Sequence, residues 1–192
     1  MFHMKQLPTE TLKILYFYID ILMKWNKKIN LTSYTKDELI NIGIVDAFVA
    51  SEVLKSLKVE EVLDLGTGYG MPGVVIKILC PYLRVALLDS SEKKVAFLEY
   101  VSKILKIPMD IYLKRLPDRK WEKRFNCVVS KAAMKEEMLL DIASKIITPK
   151  GYLVYYSSTE PKKCEKDFQI KGAIYYKRDD RGSYIVVRQR TC

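Results

Sequence analysis

The run Asp64-Leu65-Gly66-Thr67-Gly68-Tyr69-Gly70-Met71-Pro72-Gly73 holds half of the chain's 8 glycines and follows directly on an aliphatic stretch, Val62-Leu63. Glycines at such a place let the backbone turn tightly and let a ligand reach its N–H groups. Gly68, Gly70 and Gly73 satisfy the G-x-G-x-x-G spacing that cradles dinucleotide phosphates when it joins a strand to a helix. Asp89 closes the next aliphatic run, Val85-Ala86-Leu87-Leu88, where a carboxylate can accept the hydroxyls of a ribose.

Three readings of the loop stand: a tight turn without a ligand, a dinucleotide site, and a site for a phosphate-free nucleoside. Charge weighs among them. Asp64, two residues before the first glycine, would repel a pyrophosphate but favour the ammonium and sulfonium of S-adenosylmethionine. The loop therefore reads best as a methyl-donor site, with Asp64 at the methionine end and Asp89 at the ribose.

The acceptor is narrowed by what the chain lacks. Its one histidine, His3, stands near the N-terminus, so the body offers no histidine base, triad or zinc ligand. Cys127 lies in an apolar run without a neighbouring proline, which suits a core thiol better than the nucleophile that carbon methylation of a pyrimidine needs. After the fourth strand-like run the chain reads Val129-Ser130-Lys131-Ala132-Ala133, without the Asn/Asp-Pro-Pro-aromatic clamp common in exocyclic amine methylation. A ring nitrogen with a free lone pair, such as guanine N7, needs no base; alignment and exclusion of water suffice.

These residues need a scaffold. Leu12, Leu15, Tyr16, Ile19, Leu22 and Met23 recur at helical spacing after Pro8, with Thr9 the expected cap. Thr35-Lys36-Asp37-Glu38 fits a capping box opening a second helix, which Gly43 is expected to break or kink. From residue 59 short aliphatic runs at 62–65, 85–88, 111–113, 127–129 and 152–155 alternate with helix-like segments at 73–80, 91–106 and 134–147. That alternation predicts βαβ units around a parallel sheet covered on both faces. Ala173–Arg178 and Ser183–Arg188, flanking Asp179-Asp180-Arg181-Gly182, predict a closing hairpin. The fold class expected is α/β: a Rossmann-like sheet of the class I methyltransferase kind with an antiparallel C-terminal hairpin. Residues 1–58 are expected to form a helical extension packed on the core, and 59–192 the Rossmann-like domain.

At 192 residues, with 49% hydrophobic and 29% charged side chains, the chain is of ordinary globular composition. Its formal net charge of +10 points to a polyanionic partner, nucleic acid or an anionic membrane surface. Residues 111–192 hold 19 of the basic and 10 of the acidic side chains, so nearly all the excess lies there. No basic amphipathic helix favours the membrane, and the longest uncharged stretch, 65–76, is too short to span one. Four widely spaced cysteines, Cys80, Cys127, Cys164 and Cys192, read as reduced thiols. The expectation is a monomeric cytoplasmic protein without a membrane partner.

Lys114, Arg115, Arg119, Lys120, Lys123 and Arg124 cluster with only Asp118 and Glu122 between them. Alone the cluster reads as a solvated loop; beside a methyl-donor site it reads as an RNA-phosphate surface. Tyr152, Tyr155, Tyr156, Tyr175 and Tyr176 could stack bases, though tyrosines on strands more often pack. Trp25 is expected to pin the first helix on the sheet, and Asp46 is open between a surface carboxylate and a functional one.

Lys24-Trp25-Asn26-Lys27-Lys28-Ile29-Asn30-Leu31-Thr32 resembles the W-N-x-x-x-N-L-T segment of the RsmG (GidB) family. The resemblance continues in Asp64–Gly73, in Leu87-Leu88-Asp89-Ser90 with Lys93-Lys94, and in Val128–Ala132, and covers roughly residues 20–156. It implies a bacterial 16S ribosomal RNA guanine-N7 methyltransferase that uses S-adenosylmethionine on RNA or the small ribosomal subunit. It implies cofactor roles for Gly66 and Met71, for Leu116 and Pro117 near the adenine, and for Lys131, which also falls near donor and acceptor as the candidate catalytic residue. Asp64, Gly68, Asp89 and Ser90 match the general methyltransferase site. Where the family reads R-H-x-x-D-S, this chain has Ile42-Gly43-Ile44-Val45-Asp46-Ala47. Pro117 replaces an acid, Ala133 an aromatic, Ser157-Ser158 a Lys-Gly, and Lys131 an arginine, keeping its charge without the bidentate fork. A methyltransferase for another RNA base or a non-RNA acceptor, or a non-catalytic RNA-binding relative, would share these features.

Overall fold

The N-terminal helix α1 (Thr9–Ile29) buries Leu15, Ile19 and Leu22 of the expected stripe, together with Tyr18 and Ile21, while Tyr16 of that stripe is exposed. Pro8, not Thr9, occupies the cap position, and Asn30 closes the helix in the left-handed region at φ 50°. This computed structural model describes residues 7–118, 121, 124–161, 164–165, 167–178 and 181–191. The capping box forms as expected at the start of α2 (Lys36–Glu38), the Thr35 hydroxyl accepting from the Glu38 N–H while the Glu38 carboxylate accepts from the Thr35 N–H. The helix then does not break at Gly43; it widens into a π-helical stretch, Leu39–Ile44, and continues as α3 (Val45–Ser56). A Cβ on Gly43 would stand 2.8 Å from Met71 Sδ, so the glycine makes room for the loop that follows β1.

That strand, β1 (Glu61–Leu65), leads into α4 (Gly73–Leu79), β2 (Arg84–Asp89), α5 (Glu92–Leu105), β3 (Asp110–Leu113), β4 (Phe125–Ser130), α6 (Glu136–Ile146) and β5 (Ile147–Ser157). β6 (Cys164–Glu165), β7 (Phe168–Arg178) and β8 (Arg181–Arg190) complete one sheet of order β3-β2-β1-β4-β5-β8-β7-β6. The first five strands pair in parallel and β8 runs antiparallel to both its neighbours. The hairpin expected at the end is therefore present and longer than its sequence signal; its turn residues Asp179 and Asp180 lie outside the described residues, as do His3 and Cys192.

Successive strand residues point to opposite faces. Val62, Leu87, Val129, Val154 and Ile185 join the apolar layer under α1, α3, α4 and α5, while Leu63, Leu88, Val128, Leu153 and Val186 join the layer under α6. Both faces are buried, so the strands read as continuous aliphatic runs. Trp25 packs on α5 rather than on the sheet, its ring centroid 5.5 Å from that of Phe97 and 5.2 Å from that of Tyr100. Among the described residues no helix is long and apolar enough to cross a membrane. The strand order reverses between β1 and β4, which opens a crevice at their carboxyl ends.

Candidate functional site

The loop after β1 turns through three glycines with positive φ: Gly66 at 71°, Gly68 at 63° and Gly70 at 97°. Space as well as backbone conformation restricts Gly66, because a Cβ there would sit 2.4 Å from the Cβ of Ala133. The loop is tied to β2 by the N–H groups of Gly66 and Thr67, which donate to Leu88 O at 2.9 and 3.0 Å. Asp89 holds the next turn from below, accepting from Gly68 N on Oδ2 and from Ser91 N on Oδ1, each at 2.9 Å. Lys94 Nζ stands 3.8 Å from Asp89 Oδ2.

Asp64 supports the loop from within. It is fully buried beneath the loop, where Oδ2 accepts from Thr67 Oγ1 at 2.6 Å and from Gly73 N at 2.7 Å. Oδ1 is buried and accepts no hydrogen bond from a described residue. Burial pushes the carboxyl up to about 6, against the lowering effect of the Thr67 and Gly73 bonds; the charge on Asp89 adds to the rise and that on Lys131 opposes it. A carboxyl raised in the folded state favours folding fully below its unfolded value near 3.8, and that contribution is lost as pH climbs through about 6. Thermal melts of the ligand-free protein should therefore show Asp64→Asn gaining on the wild type between pH 4 and pH 7; a difference independent of pH would refute the assignment.

Above the loop lies a cleft of about 580 Å³. Gly66, Gly68, Met71, Asp89, Ser90, Leu116 and Lys131 all line it, and Lys114 and Arg115 join them at the end of β3. Asp64 lies under this wall rather than in it. Pro117 turns away from Leu116 into a separate depression with Asp118, Trp121 and Arg124, so neither Pro117 nor Arg124 reaches the cleft. Lys114 Nζ pairs with Asp118 Oδ2 at 3.0 Å. Arg119, Lys120 and Lys123 lie outside the described residues.

The Trp-Asn…Asn-Leu-Thr segment acts through Asn26. Its Oδ1 accepts from Leu31 N at 2.6 Å and Thr32 N at 2.9 Å, its Nδ2 donates to Thr32 O at 2.9 Å, and Thr32 Oγ1 accepts from Tyr34 N at 3.1 Å. This staple presents Leu31 and Tyr34 to the cleft. Tyr34 carried no signal of its own in the sequence.

Asp46 is fully buried, which removes the reading of it as a surface carboxylate. Its Oδ2 lies 2.6 Å from Lys131 Nζ, Oδ1 accepts from Tyr176 Oη at 2.7 Å, and its main-chain oxygen accepts from Tyr156 Oη at 2.8 Å. Lys131 Nζ also stands 6.0 Å from the Tyr34 ring centroid and 5.8 Å from that of Tyr156. Two of the strand tyrosines thus hold Asp46, Tyr176 by its carboxylate and Tyr156 by its main chain, while Tyr155 is buried and Tyr175, exposed, packs on Tyr184 at 5.1 Å. Cys127 is buried in the core and burial pushes its thiol up, away from nucleophilic use.

A sheet of this order with a glycine loop after β1 and an acid ending β2 has the fold of class I methyltransferases. An O-methyltransferase from Bacillus cereus in complex with SAH superposes with a TM-score of 0.68 at 11% identity, over 91% of each chain. The magnesium protoporphyrin IX methyltransferase from Synechocystis PCC 6803, with bound SAM, gives 0.63 at 12% identity over 97% of this chain and 99% of its own. Residues 11–178 match the GidB family, rRNA small subunit methyltransferase G, and the chain belongs to that family. It is 38% identical over 143 residues to a ribosomal RNA small subunit methyltransferase G of Desulfitobacterium hafniense (strain Y51), and 36% over 146 residues to one of Clostridium tetani (strain Massachusetts / E88). Each match covers 71% of this chain but 59% and 60% of those relatives, so the chain spans about three fifths of their length.

Proposed function

We propose that this protein transfers a methyl group from S-adenosylmethionine to N7 of a guanine in 16S ribosomal RNA. The observation that carries the reading is the cleft itself: a bare, positive-φ glycine turn facing Asp89, at the sheet's switch point, in a GidB-family chain. The residues present fit the cofactor. Gly66 and Gly68 leave backbone open to it, Asp89 and Ser90 stand at the rim to accept and donate to ribose hydroxyls, and Met71 and Leu116 supply apolar walls for the adenine. The unpartnered Oδ1 of buried Asp64 sets a negative potential under the end where an ammonium would lie. When bound, the cofactor supplies an electrophilic methyl group on a sulfonium.

The chain's part is alignment. Guanine N7 carries its own lone pair, so no side chain need remove a proton, in keeping with the absence of histidine from residues 4–192. Met134 and Met138 line the open side and exclude water from the reacting centre. Lys131, held by Asp46, lines the cleft as the candidate catalytic residue, and Arg115 with Lys114 offers phosphate contacts along its edge. We read residues 1–58 as an extension packed on the 59–192 domain, and the protein as a cytoplasmic monomer acting on RNA or the small subunit, not on a membrane.

Purified protein with labelled cofactor should methylate small subunits or 16S RNA from a strain lacking the activity, and the methylated nucleotide should map to guanine N7. A label on another atom, or none, rules the assignment out.

A further inference from the structure

Past Ala132, Ala133 and Met134 the main cleft gives way to a second cavity of about 190 Å³ over the ends of β4 and β5. The same three residues line both, so the two are neighbours across one ridge. In the wall of the second cavity stands Glu136, the first residue of α6, with its side chain 39% exposed. Glu136 Oε1 accepts from Tyr155 Oη and, at 3.1 Å, from Arg188 Nη2, while Arg188 Nε donates to Tyr155 Oη at 2.9 Å. Oε2 accepts no hydrogen bond from a described residue.

Arg188 is wholly buried in the layer between the sheet and α6, among aliphatic side chains. Withdrawing a guanidinium from water costs several kcal/mol, and an apolar residue of similar size often serves stability as well or better. A buried arginine paired with a half-exposed carboxylate fits a different purpose: it fixes where that carboxylate points. A fixed carboxylate at a cavity wall accepts hydrogen bonds and cannot donate them. Guanine offers it two donors on one edge, N1–H and the 2-amino group; adenine offers a lone pair at N1.

We propose that the second cavity receives the acceptor base and that Glu136, positioned by Arg188 and Tyr155, selects guanine through Oε2. This rests on the methyl-transfer reading above and adds a determinant of the acceptor that the family's cofactor motifs do not contain. Tyr156 forms part of the same wall, its hydroxyl engaged with Asp46 O and its ring centroid 5.8 Å from Lys131 Nζ.

The test uses the whole chain, with RNA carrying guanosine or inosine at the mapped position. Inosine lacks the 2-amino group, and the wild type should use it about 10-fold or more less efficiently in kcat/KM, the size of a lost base-edge contact. Glu136→Gln keeps a carbonyl for Tyr155 and Arg188 but sets an amide donor against the base. It should lose about 10-fold or more on guanosine, bring the two substrates near parity, and bind S-adenosylmethionine as the wild type does. Guanine-N7 product formed equally well from guanosine and inosine overturns the Glu136 assignment and leaves the methyl-transfer reading standing. Wild-type rates in Glu136→Gln, or a matching loss of cofactor affinity, overturn it too. Absence of transfer by the wild type to any RNA overturns both. The wild-type comparison of the two substrates needs no variant to fold.

Discussion

Asp89→Ala should weaken S-adenosylmethionine binding by about 10- to 100-fold, the range expected when hydrogen bonds to a charged group are lost. Two effects combine. The carboxylate lines the cleft, and on the proposed function its remaining lone pairs accept from the ribose hydroxyls. It also holds the turn itself, through Gly68 N and Ser91 N at 2.9 Å each. Alanine removes both functions and frees a loop whose glycines otherwise restrain it little. Asp89→Asn separates them: one amide oxygen can still accept from Gly68 or Ser91, but the NH2 cannot accept from ribose. The asparagine variant keeps one of the two turn bonds and should therefore melt between the wild type and Asp89→Ala, while binding remains as impaired as in the alanine variant. Titration calorimetry and thermal shift on the two variants check this, and wild-type affinity in Asp89→Ala would remove Asp89 from the site.

The features that were legible from the residues are those set locally. A turn that needs positive φ calls for glycine, and Gly66, Gly68 and Gly70 all adopt it; a strand ending in an acid next to that turn places Asp89. The alternation of aliphatic runs and amphipathic segments gives the doubly covered sheet for the same local reason. Depth was not legible. Asp64 and Asp89 look alike as acids ending aliphatic strands, yet one is sealed under the loop and the other opens on the cleft. Leu116 and Pro117 are neighbours in a bend beyond β3, yet Leu116 lines the cleft and Pro117 only the depression beside it. Glu136 reads as any acid in the first turn of a helix, and its meaning comes from Arg188, in the fourth strand further along the chain. Trp25 announces packing without naming its partner, which proves to be α5.

The ion pair of Asp46 and Lys131 carries the second large effect. Asp46→Ala should lower stability by about 3–5 kcal/mol, because it leaves Lys131, with a side chain 12% exposed, without its counter-charge. It also strips the Tyr176 hydroxyl of its acceptor. For a chain of this length that is a fall in Tm on the order of 10 °C. The same loss arises whether Lys131 serves only the fold or also the chemistry, so the single variant cannot tell these apart. The double variant Asp46→Ala/Lys131→Met can. It removes the stranded charge together with its partner, and should recover a substantial part of the lost stability relative to Asp46→Ala alone. If the pair were merely structural, methyl transfer would recover in parallel. On the proposed function Lys131, which lines the donor cleft, also serves the transfer, so the double variant should instead remain at least about 10-fold below the wild type in kcat/KM while melting near it, the loss expected for one charged contact. Recovery of transfer alongside stability would reduce Lys131 to a part of the scaffold.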